Sequence, residues 1–526
     1  MAIREDRTFT SIIFTAAIIF AIVVSSILLA RHFELGPYFL HLLPANVYEV
    51  TRAADNLPVS TVPPHTLEVS DIVELRQLLE KEQFDQLNSV LQAYQEIFEN
   101  NQADEYRLYD AYRTFECTLP AYEALLQRWL QATPDTYQPY LALAQYYYAR
   151  AWASRGSKWA KDTSGQQFAA MNAFFEKAQS NLNKALEIDP NLMIAYNTLL
   201  GIYNAQGNYS DEDRIIAKAN ERFPGSFLIR LTISWAKQPR WGGSYPQMEA
   251  LAKEAERFAD QNPKIPVLYG LIYQDQAGKF RRAEKYEKAL ALLGQALAFG
   301  DHWSFYNDRA KIYHYDLNAY DQALENVNRS IALRPVLHQN RLMRSKIYYA
   351  QAEYDESLTD LQTAALLKPG NPEIQEWRKW AADNLMQRGH QVFKKDRHAA
   401  VGYYNMSLKF DANNFQAYYW RGRALAASKD LEAALSDFQA ALKINPRHFD
   451  SCRMVDYIYA QRRQWDKIIA CWNQFIALEP DHADAYYERA GTYYHNNDMK
   501  SALRDLKKAC KLGNQQACQR YDRLTP

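Results

Sequence analysis

The sequence predicts an all-α fold: a right-handed superhelical solenoid of antiparallel helix pairs, preceded by one transmembrane helix. Two observations indicate this architecture. Prolines recur at a spacing of 34 residues, in the pairs Pro190 and Pro224, Pro335 and Pro369, and Pro446 and Pro480. In addition, residues 9–30 form an apolar run without a charged side chain. A fixed period of this length predicts repeated helix pairs, which stack because one pair cannot bury its apolar face alone.

The N-terminal region divides into a tail of residues 1–8 and an apolar span of residues 9–30. As a helix the span would be about 33 Å long, enough to cross the hydrocarbon core of a bilayer. A cleaved signal peptide is the alternative, but its apolar region usually has only about 7–15 residues. Leu28 also makes Ala30 a poor cleavage site. We therefore expect an uncleaved membrane anchor.

The charges that flank the span predict its orientation. Arg4 and Arg7 precede it, whereas Arg31 follows it. Under the positive-inside rule this distribution favours an N-terminus in the cytoplasm and a solenoid on the other side, which in a bacterium is the periplasm. The sequence therefore predicts a single-pass inner-membrane protein with a periplasmic solenoid.

A linker and a helical cap are expected after the span. Four prolines interrupt residues 31–70, which predicts a linker. The helical pattern resumes at Ser70, the expected N-cap. Two helix pairs over 71–101 and 104–133 lack the repeat pattern. We expect them to form an N-terminal helical cap over residues 71–134 that covers the first apolar face of the solenoid.

Residues inside the 34-residue period follow one recurring pattern of small and large side chains. The unit from Phe415 shows a large residue, a small one, an alanine, an aromatic, an alanine and a proline, at Tyr418, Gly422, Ala434, Phe438, Ala441 and Pro446. Small residues let two helices approach closely, and the proline ends the second helix. The pattern resembles tetratricopeptide repeats, most clearly over residues 304–516. This resemblance implies a concave surface that binds a protein or peptide partner.

Between the cap and these repeats, residues 135–303 depart from the period and predict atypical repeats with insertions. Two motifs fall there: ARAWASRGSKWA over residues 149–160 and QPRWGGS over residues 238–244. They resemble a bacterial domain of unknown function that is fused to tetratricopeptide repeats, over roughly residues 70–275. The resemblance implies a bacterial origin and a fold context, but no activity.

The same two motifs contain a candidate pocket made of Arg155, Trp159, Arg240 and Trp241. An arginine beside a tryptophan on a concave surface can hold a carboxylate or a peptide terminus. The alternative is structural. In that case residues 241–244 form a tight glycine turn, and Trp241 packs on a neighbouring repeat.

The C-terminal tail offers a clue to the compartment. The chain has five cysteines, an odd number that argues against a complete disulfide framework. Residues 509–518 nevertheless resemble Sel1-like repeats, and this resemblance implies a disulfide between Cys510 and Cys518, with two buried thiols as the alternative. Such a bridge would suit a periplasmic protein. Residues 517–526 are expected to cap the C-terminal end of the solenoid.

The resemblance to tetratricopeptide repeats also implies which side chains face the concave groove. Carried over to this sequence, the binding candidates are Asn197, Tyr315, Lys346, Tyr349, Tyr419, Arg423, Arg453, Tyr457, Tyr487 and Tyr494. They are mixed in charge and rich in tyrosine. The Lys/Asn/Arg clamp of chaperone-tail binders is not recognisable among them. A peptide or helix of a partner protein is therefore the expected ligand.

Composition and motifs narrow the function. Lysine plus arginine and aspartate plus glutamate both number 61, so the chain lacks the basic surplus of a nucleic-acid binder. No catalytic or metal-binding motif occurs, and we expect neither an enzyme nor a cofactor or metal. The sequence favours a membrane-anchored scaffold or adaptor in a bacterial envelope complex. The alternative is a periplasmic immunity or inhibitor protein that binds and blocks a secreted effector.

Overall fold

A computed structural model of the chain describes residues 66–156 and 160–525. The tail of residues 1–8, the expected transmembrane helix over residues 9–30, most of the linker and Trp159 lie outside the described residues. In the part that is described, the chain forms helices joined by turns and loops, without a β-strand. No helix there combines the length and the apolar character that a bilayer crossing requires.

The described chain divides into two compact units, one of residues 66–340 and 366–369, the other of residues 341–365 and 370–525. The helices of the first unit are α1 (Val69–Glu80), α2 (Phe84–Asn100), α3 (Glu105–Arg113), α4 (Pro120–Ala132), α5 (Gln138–Arg155), α6 (Gly165–Ile188), α7 (Met193–Gln206), α8 (Tyr209–Arg222), α9 (Phe227–Ala236), α10 (Tyr245–Ala255), α11 (Val267–Arg282), α12 (Tyr286–Leu297), α13 (Trp303–Lys311) and α14 (Tyr320–Leu333). Helix α13 continues as a π-helical turn over Ile312–Asp316.

Helices α15 (His338–Ala350) and α16 (Tyr354–Leu367) contain residues of both units. The remaining helices of the second unit are α17 (Pro372–Val392), α18 (Arg397–Phe410), α19 (Phe415–Ala427), α20 (Leu431–Ile444), α21 (Phe449–Gln461), α22 (Trp465–Leu478), α23 (Ala483–His495), α24 (Met499–Lys511) and α25 (Gln515–Leu524). Each unit is thus a series of antiparallel helix pairs, as the period predicted.

The first helix begins slightly earlier than expected. Its N-cap is Glu68, and Ser70 lies inside the first turn, so the prediction of a Ser70 cap is wrong. The Glu68 backbone N–H donates to the Asp71 carboxylate over 2.8 Å. Because Asp71 reaches back to the cap, it satisfies a backbone donor at the helix start that would otherwise lack a partner.

A turn with one left-handed residue joins the two helices of many pairs. Its φ lies between 52° and 69°, at Glu284, Asn318, Ala352, Lys429, Arg463 and Asn497. These residues fall into two sets of three, the first three and the last three in this order. Within each set, successive left-handed residues are 34 apart. After Lys429, the N–H of Asp430 donates to the Leu425 carbonyl over 3.0 Å, which closes the end of α19 in the manner of a Schellman motif. The period seen in the prolines is therefore a property of the backbone as well.

Gly422 shows why the repeat pattern needs a small residue in the first helix. It lies on α19 opposite Phe438 of α20. A Cβ atom at Gly422 would lie 2.9 Å from Phe438 Cε1, closer than two carbon atoms can approach. The ring of Phe438 is fully buried by this contact and its neighbours. Close packing of small against large side chains thus joins the two helices of the pair.

The N-terminal helices of the first unit contact residues far along the chain. Arg76 of α1 donates to the backbone oxygens of Leu366 and Leu367, over 2.9 Å for Leu367. Asp110 of α3 forms a buried ion pair with Arg334 at the end of α14. The helices expected to cap only the first repeat therefore also hold the far end of the same unit.

Candidate functional site

Three of the four residues of the candidate pocket line one cavity of the first unit. Arg155, Arg240 and Trp241 surround about 760 Å³ of space, bounded by α5, α7, α9 and the turn that follows α9. We call this space the aromatic cavity. Trp159, the fourth candidate, lies outside the described residues.

The walls of the aromatic cavity are aromatic rings from two different helices and one turn. Tyr148 and Trp152 of α5 meet edge to face with centroids 6.2 Å apart, and both contact Phe175 of α6. Trp235, 39% exposed, and Trp241, 53% exposed, line the same cavity. The α5 rings are fixed by packing, whereas these two indoles offer free surface to a ligand.

The turn after α9 presents Trp241 to the cavity. It is a 3₁₀ turn over Pro239–Trp241, closed by Gly242 with φ of 91°. At Gly243 a Cβ atom would lie 2.1 Å from the Lys237 carbonyl oxygen, so only glycine fits. The tight glycine turn considered from the sequence is present. Trp241 is 53% exposed, and its packing on a neighbouring repeat stays a prediction.

The two arginines carry most of the positive charge at the cavity. Arg155 Nη1 donates to the Gly156 carbonyl over 3.3 Å, and its guanidinium lies 5.8 Å from the Trp152 ring. No carboxylate of the described residues lies within 4.0 Å of it. Arg240 Nε donates to Gln238 Oε1 over 2.7 Å and lies 4.0 Å from the Asp275 carboxylate. Both guanidiniums keep N–H groups that a ligand can use.

Polar side chains on the floor of the aromatic cavity are already paired with one another. Gln145 Nε2 donates to Thr198 Oγ1 over 2.8 Å. Thr232 Oγ1 donates to Asn197 Oδ1 over 2.7 Å. Asn197, predicted from the repeat pattern to face the groove, does line the cavity, but it is buried and its amide oxygen is occupied. These pairs fix the positions of α5, α7 and α9 relative to one another. Recognition of a ligand is therefore left to the aromatic and arginine side chains of the cavity.

Glu116 is the acidic residue that lines the aromatic cavity. Burial alone would raise the pKa of Glu116, but Lys368 and Arg113 lower it to about 2. Lys368 contacts the carboxylate directly, and Arg113 Nε lies 3.3 Å from Glu116 Oε1. The carboxylate is therefore ionised and already neutralised by its partners, so it does not offset the charge of Arg155 or Arg240.

A second cavity of about 650 Å³ adjoins the first. Trp235 and Arg240 line both, so the two cavities are neighbours. The second, which we call the charged cavity, holds ion pairs between its own walls. Arg281 lies 2.5 Å from Asp316, and Lys311 lies 2.9 Å from Asp308.

Three groove candidates lie away from the aromatic cavity. Tyr315 is largely exposed at the π-helical turn. Lys346 pairs with Glu373 over 2.9 Å. Tyr349 is only 3% exposed, and its hydroxyl donates to the Ala381 carbonyl and to Asn384 Oδ1. The expectation that Tyr349 offers a free groove side chain is therefore wrong, because it packs between neighbouring helices.

The remaining groove candidates lie in the second unit, where they keep accessible surface. Arg423 lies over the Trp420 ring at 4.7 Å and near the Tyr419 ring at 5.8 Å. Tyr457 and Tyr494 are exposed. Arg453 is exposed and Tyr487 is half-buried. These side chains form a polar and aromatic surface, whereas the cavities described above belong to the first unit.

Sequence reasoning missed three walls of the aromatic cavity. Trp235 lies near the end of α9, just before the QPRWGGS motif. Tyr148 immediately precedes the ARAWASRGSKWA motif, and Trp152 lies within it. Their position in or beside the two motifs was a usable signal. Which of the many aromatic residues share a cavity depends, however, on how three successive helix pairs pack.

The cysteines occur as two bridges and one thiol. The sulfurs of Cys510 and Cys518 lie 2.00 Å apart in a disulfide. Cys452 and Cys471 form a second disulfide, which the sequence did not indicate. Cys117 is a buried free thiol whose pKa is raised by burial. Among the described residues, no group of three or more His, Cys, Asp or Glu side chains is arranged to hold a metal.

Comparisons with known proteins match parts of this chain to family models. Residues 71–210 match a domain of unknown function, DUF4034. Residues 415–448 and 456–523 match tetratricopeptide repeats. The two resemblances expected from the sequence are thus confirmed over these segments. The QPRWGGS motif lies outside the first match, and residues 509–518, expected to be Sel1-like, lie within the match over 456–523. No curated protein matches the chain.

Some solved structures are similar to segments of the chain. MamA of Desulfovibrio magneticus RS-1 is 21% identical, with a TM-score of 0.25, over 28% of this chain and 83% of its own. The TPR2AB domain of yeast Sti1, solved as a pHSP90 complex, is 16% identical, with a TM-score of 0.23, over 48% and 96%. A thermophilic TPR protein of Thermus thermophilus is 24% identical, with a TM-score of 0.22, over 36% and 98%.

Proposed function

We propose that this protein is a membrane-anchored scaffold that recruits a partner protein in a bacterial envelope complex. The observation that carries the proposal is the aromatic cavity, which presents two partly exposed indoles and two guanidiniums with N–H groups that remain available to a ligand. Tetratricopeptide repeats are interaction modules whose stacked helices create such binding surfaces. Large exposed aromatic side chains beside arginine are also the residues that dominate protein–protein contacts.

Two further features support the setting. The apolar run over residues 9–30 is long enough for an uncleaved anchor. The two disulfides suit an oxidising compartment such as the periplasm. Together they support an inner-membrane protein whose repeats lie in the periplasm.

Affinity capture from detergent-solubilised membranes tests the proposal. The full chain is compared with a double variant, Arg240→Ala and Trp241→Ala, and with a control, Tyr209→Ala and Lys218→Ala, on the exposed surface of α8. We expect one partner to co-purify with the wild type and the control but not with the cavity variant. Capture of the same chains by all three proteins would contradict a role of the cavity in recruitment.

The identity of the captured chain also separates the scaffold from the inhibitor alternative. If the partner is a secreted enzyme, its activity is measured with increasing amounts of this protein. Loss of that activity with the wild type, and its retention with the cavity variant, would favour an immunity protein. Unchanged activity would favour a scaffold.

A further inference from the structure

We infer that the aromatic cavity binds an internal acidic segment of a partner protein, in which an aromatic or large aliphatic side chain lies beside an aspartate or glutamate. The inference rests on the proposed function, since it names the chemistry of the segment that the scaffold recruits. Three features of the cavity carry it: its apolar walls, its excess of positive charge and its position beside the charged cavity.

The walls fit a large apolar side chain. Trp235 and Trp241 line the cavity together with the ring pair of Tyr148 and Trp152. Gly201 of α7 lets Tyr148 approach that helix, because a Cβ atom there would lie 2.8 Å from Tyr148 Oη. A side chain that enters the cavity exchanges water for contact with these rings, which favours an aromatic or branched apolar residue.

The charge at the same place selects an acidic neighbour for that side chain. Arg155 has no carboxylate partner among the described residues, and Arg240 lies 4.0 Å from its nearest one, the Asp275 carboxylate. Glu116 is neutralised by Lys368 and Arg113. A carboxylate that enters the cavity therefore gains charge-assisted hydrogen bonds, whereas a lysine or arginine would be repelled.

The position of the charged cavity beside the aromatic cavity favours an internal segment over a chain end. Trp235 and Arg240 line both cavities. We expect a bound chain to continue past Arg240 towards the charged cavity. There Arg281 with Asp316 and Lys311 with Asp308 form pairs of opposite charge, so the charged cavity carries little net field. Selection by charge is thus confined to the aromatic cavity.

A peptide-binding selection with the full chain in detergent tests the inference. The probe is a library of short synthetic peptides with random sequences, each made with an amidated and with a free carboxyl end. It also contains peptides that cover residues 31–65 of this chain. We expect enriched sequences to place an aspartate or glutamate next to an aromatic or large aliphatic residue, equally in amidated and free forms. An Arg155→Gln and Arg240→Gln double variant should lose this enrichment, and the α8 control pair should keep it.

Affinity measurements on the most enriched amidated peptide make the test quantitative. Replacing its acidic residue by the amide should weaken binding by about tenfold or more, as for loss of a charge-assisted hydrogen bond. The Arg155→Gln variant should weaken the acidic peptide but not its amide form. Raised salt should reduce only the binding of the acidic peptide. Circular dichroism and thermal melting show that each variant is folded.

Several outcomes would overturn the inference. These are enrichment of neutral or basic peptides, a requirement for a free carboxyl end, preference for the chain's own residues 31–65, or no enrichment over the double variant. The proposed function fails separately. If capture of the partner depends on Trp241 and Arg240 while the selection finds no acidic segment, recruitment stands and only the ligand chemistry is wrong.

Discussion

Arg489 and Asp505 join the two helices of one repeat through a bidentate ion pair. Arg489 Nε lies 2.6 Å from Asp505 Oδ2, and its Nη2 lies 3.0 Å from Oδ1. The remaining Nη1 donates to Asn473 over 2.6 Å, so the guanidinium connects three helices. Two periods earlier, Arg421 and Asp437 make the same two contacts at 2.8 and 2.6 Å.

We expect Asp505→Ala to destabilise the C-terminal repeat by about 3 kcal/mol, because it leaves the Arg489 charge largely buried and unpaired. The Asp505 side chain is 2% exposed. Urea denaturation, with hydrogen exchange on α23 and α24, measures the effect. Lys507→Ala on the exposed face of α24 is the control, and its effect should stay within about 0.5 kcal/mol. Similar losses of unfolding free energy in both variants would show that the ion pair stabilises the repeat no more than an exposed surface residue does.

The buried His302 predicts a pH dependence of stability. Its Nε2 lies 3.3 Å from Tyr106 Oη, and its Nδ1 lies 2.7 Å from Ser304 Oγ. Burial, reinforced by the charge of Arg334, lowers the pKa of His302 from 6.5 to about 3. Between these values the unfolded chain binds the proton and the folded chain does not. The contribution of His302 to the free energy of unfolding is therefore complete above pH 6.5, and it falls by about 1.4 kcal/mol per pH unit towards pH 3.

Urea denaturation between about pH 7 and pH 5, on the wild type and on His302→Gln, checks this slope. Other buried groups titrate in both proteins and cancel in the difference. Among them is Glu105, whose pKa is raised by burial and which contributes with the opposite sign. The free energy of unfolding of the variant should fall less steeply with acid. Parallel slopes would mean that His302 is protonated in the folded protein.

Gly243 should matter for binding although it is not expected to touch a ligand. Its Cβ position, 2.1 Å from the Lys237 carbonyl oxygen, forces the turn to open in Gly243→Ala. We expect Trp241 to move and the affinity for the captured partner to fall by about tenfold or more. Gly294→Ala in α12 is the matched control, since nothing lies within 4 Å of its added Cβ. That helix-interior change should raise stability by up to about 1 kcal/mol and leave binding unaltered.

The disulfide between Cys510 and Cys518 should hold the last helix in place. Helix α25 packs through few apolar side chains, among them Ala517, Tyr521 and Leu524. Cys518→Ser should loosen α25 by about 2–3 kcal/mol, because a cross-link restricts the unfolded chain. Amide exchange should quicken in α25 and not in α19. Thiol titration of the denatured, unreduced protein should detect only Cys117, and five reactive thiols would contradict both bridges.

Much of the repeat architecture could be predicted because it depends on short separations along the chain. The 34-residue spacing of prolines reappears as the spacing of the left-handed turns at Lys429, Arg463 and Asn497. Gly422 and Phe438, only 16 residues apart, meet as the pattern required. Each contact lies within one helix pair, where local propensity, turn chemistry and apolar spacing act together.

Whether an individual side chain is buried or exposed was harder to predict. The sequence placed Tyr349 and Asn197 on a free groove, yet both are buried and hydrogen-bonded. A position in a repeat predicts which way a side chain points. It does not predict whether a neighbouring helix covers it. The Arg489 and Asp505 pair escaped notice for a related reason, since isolated charges in a helix pattern usually indicate solvent.

By itself the sequence determined that the chain forms stacked helix pairs, where they turn, and which two motifs interrupt the period. Only the tertiary structure decided that Arg155, Arg240 and Trp241 share a cavity with Trp235. The physical reason is distance along the chain: Arg155 and Arg240 are separated by more than one helix pair. Their meeting depends on the summed packing angles of the helices between them, which no local pattern encodes.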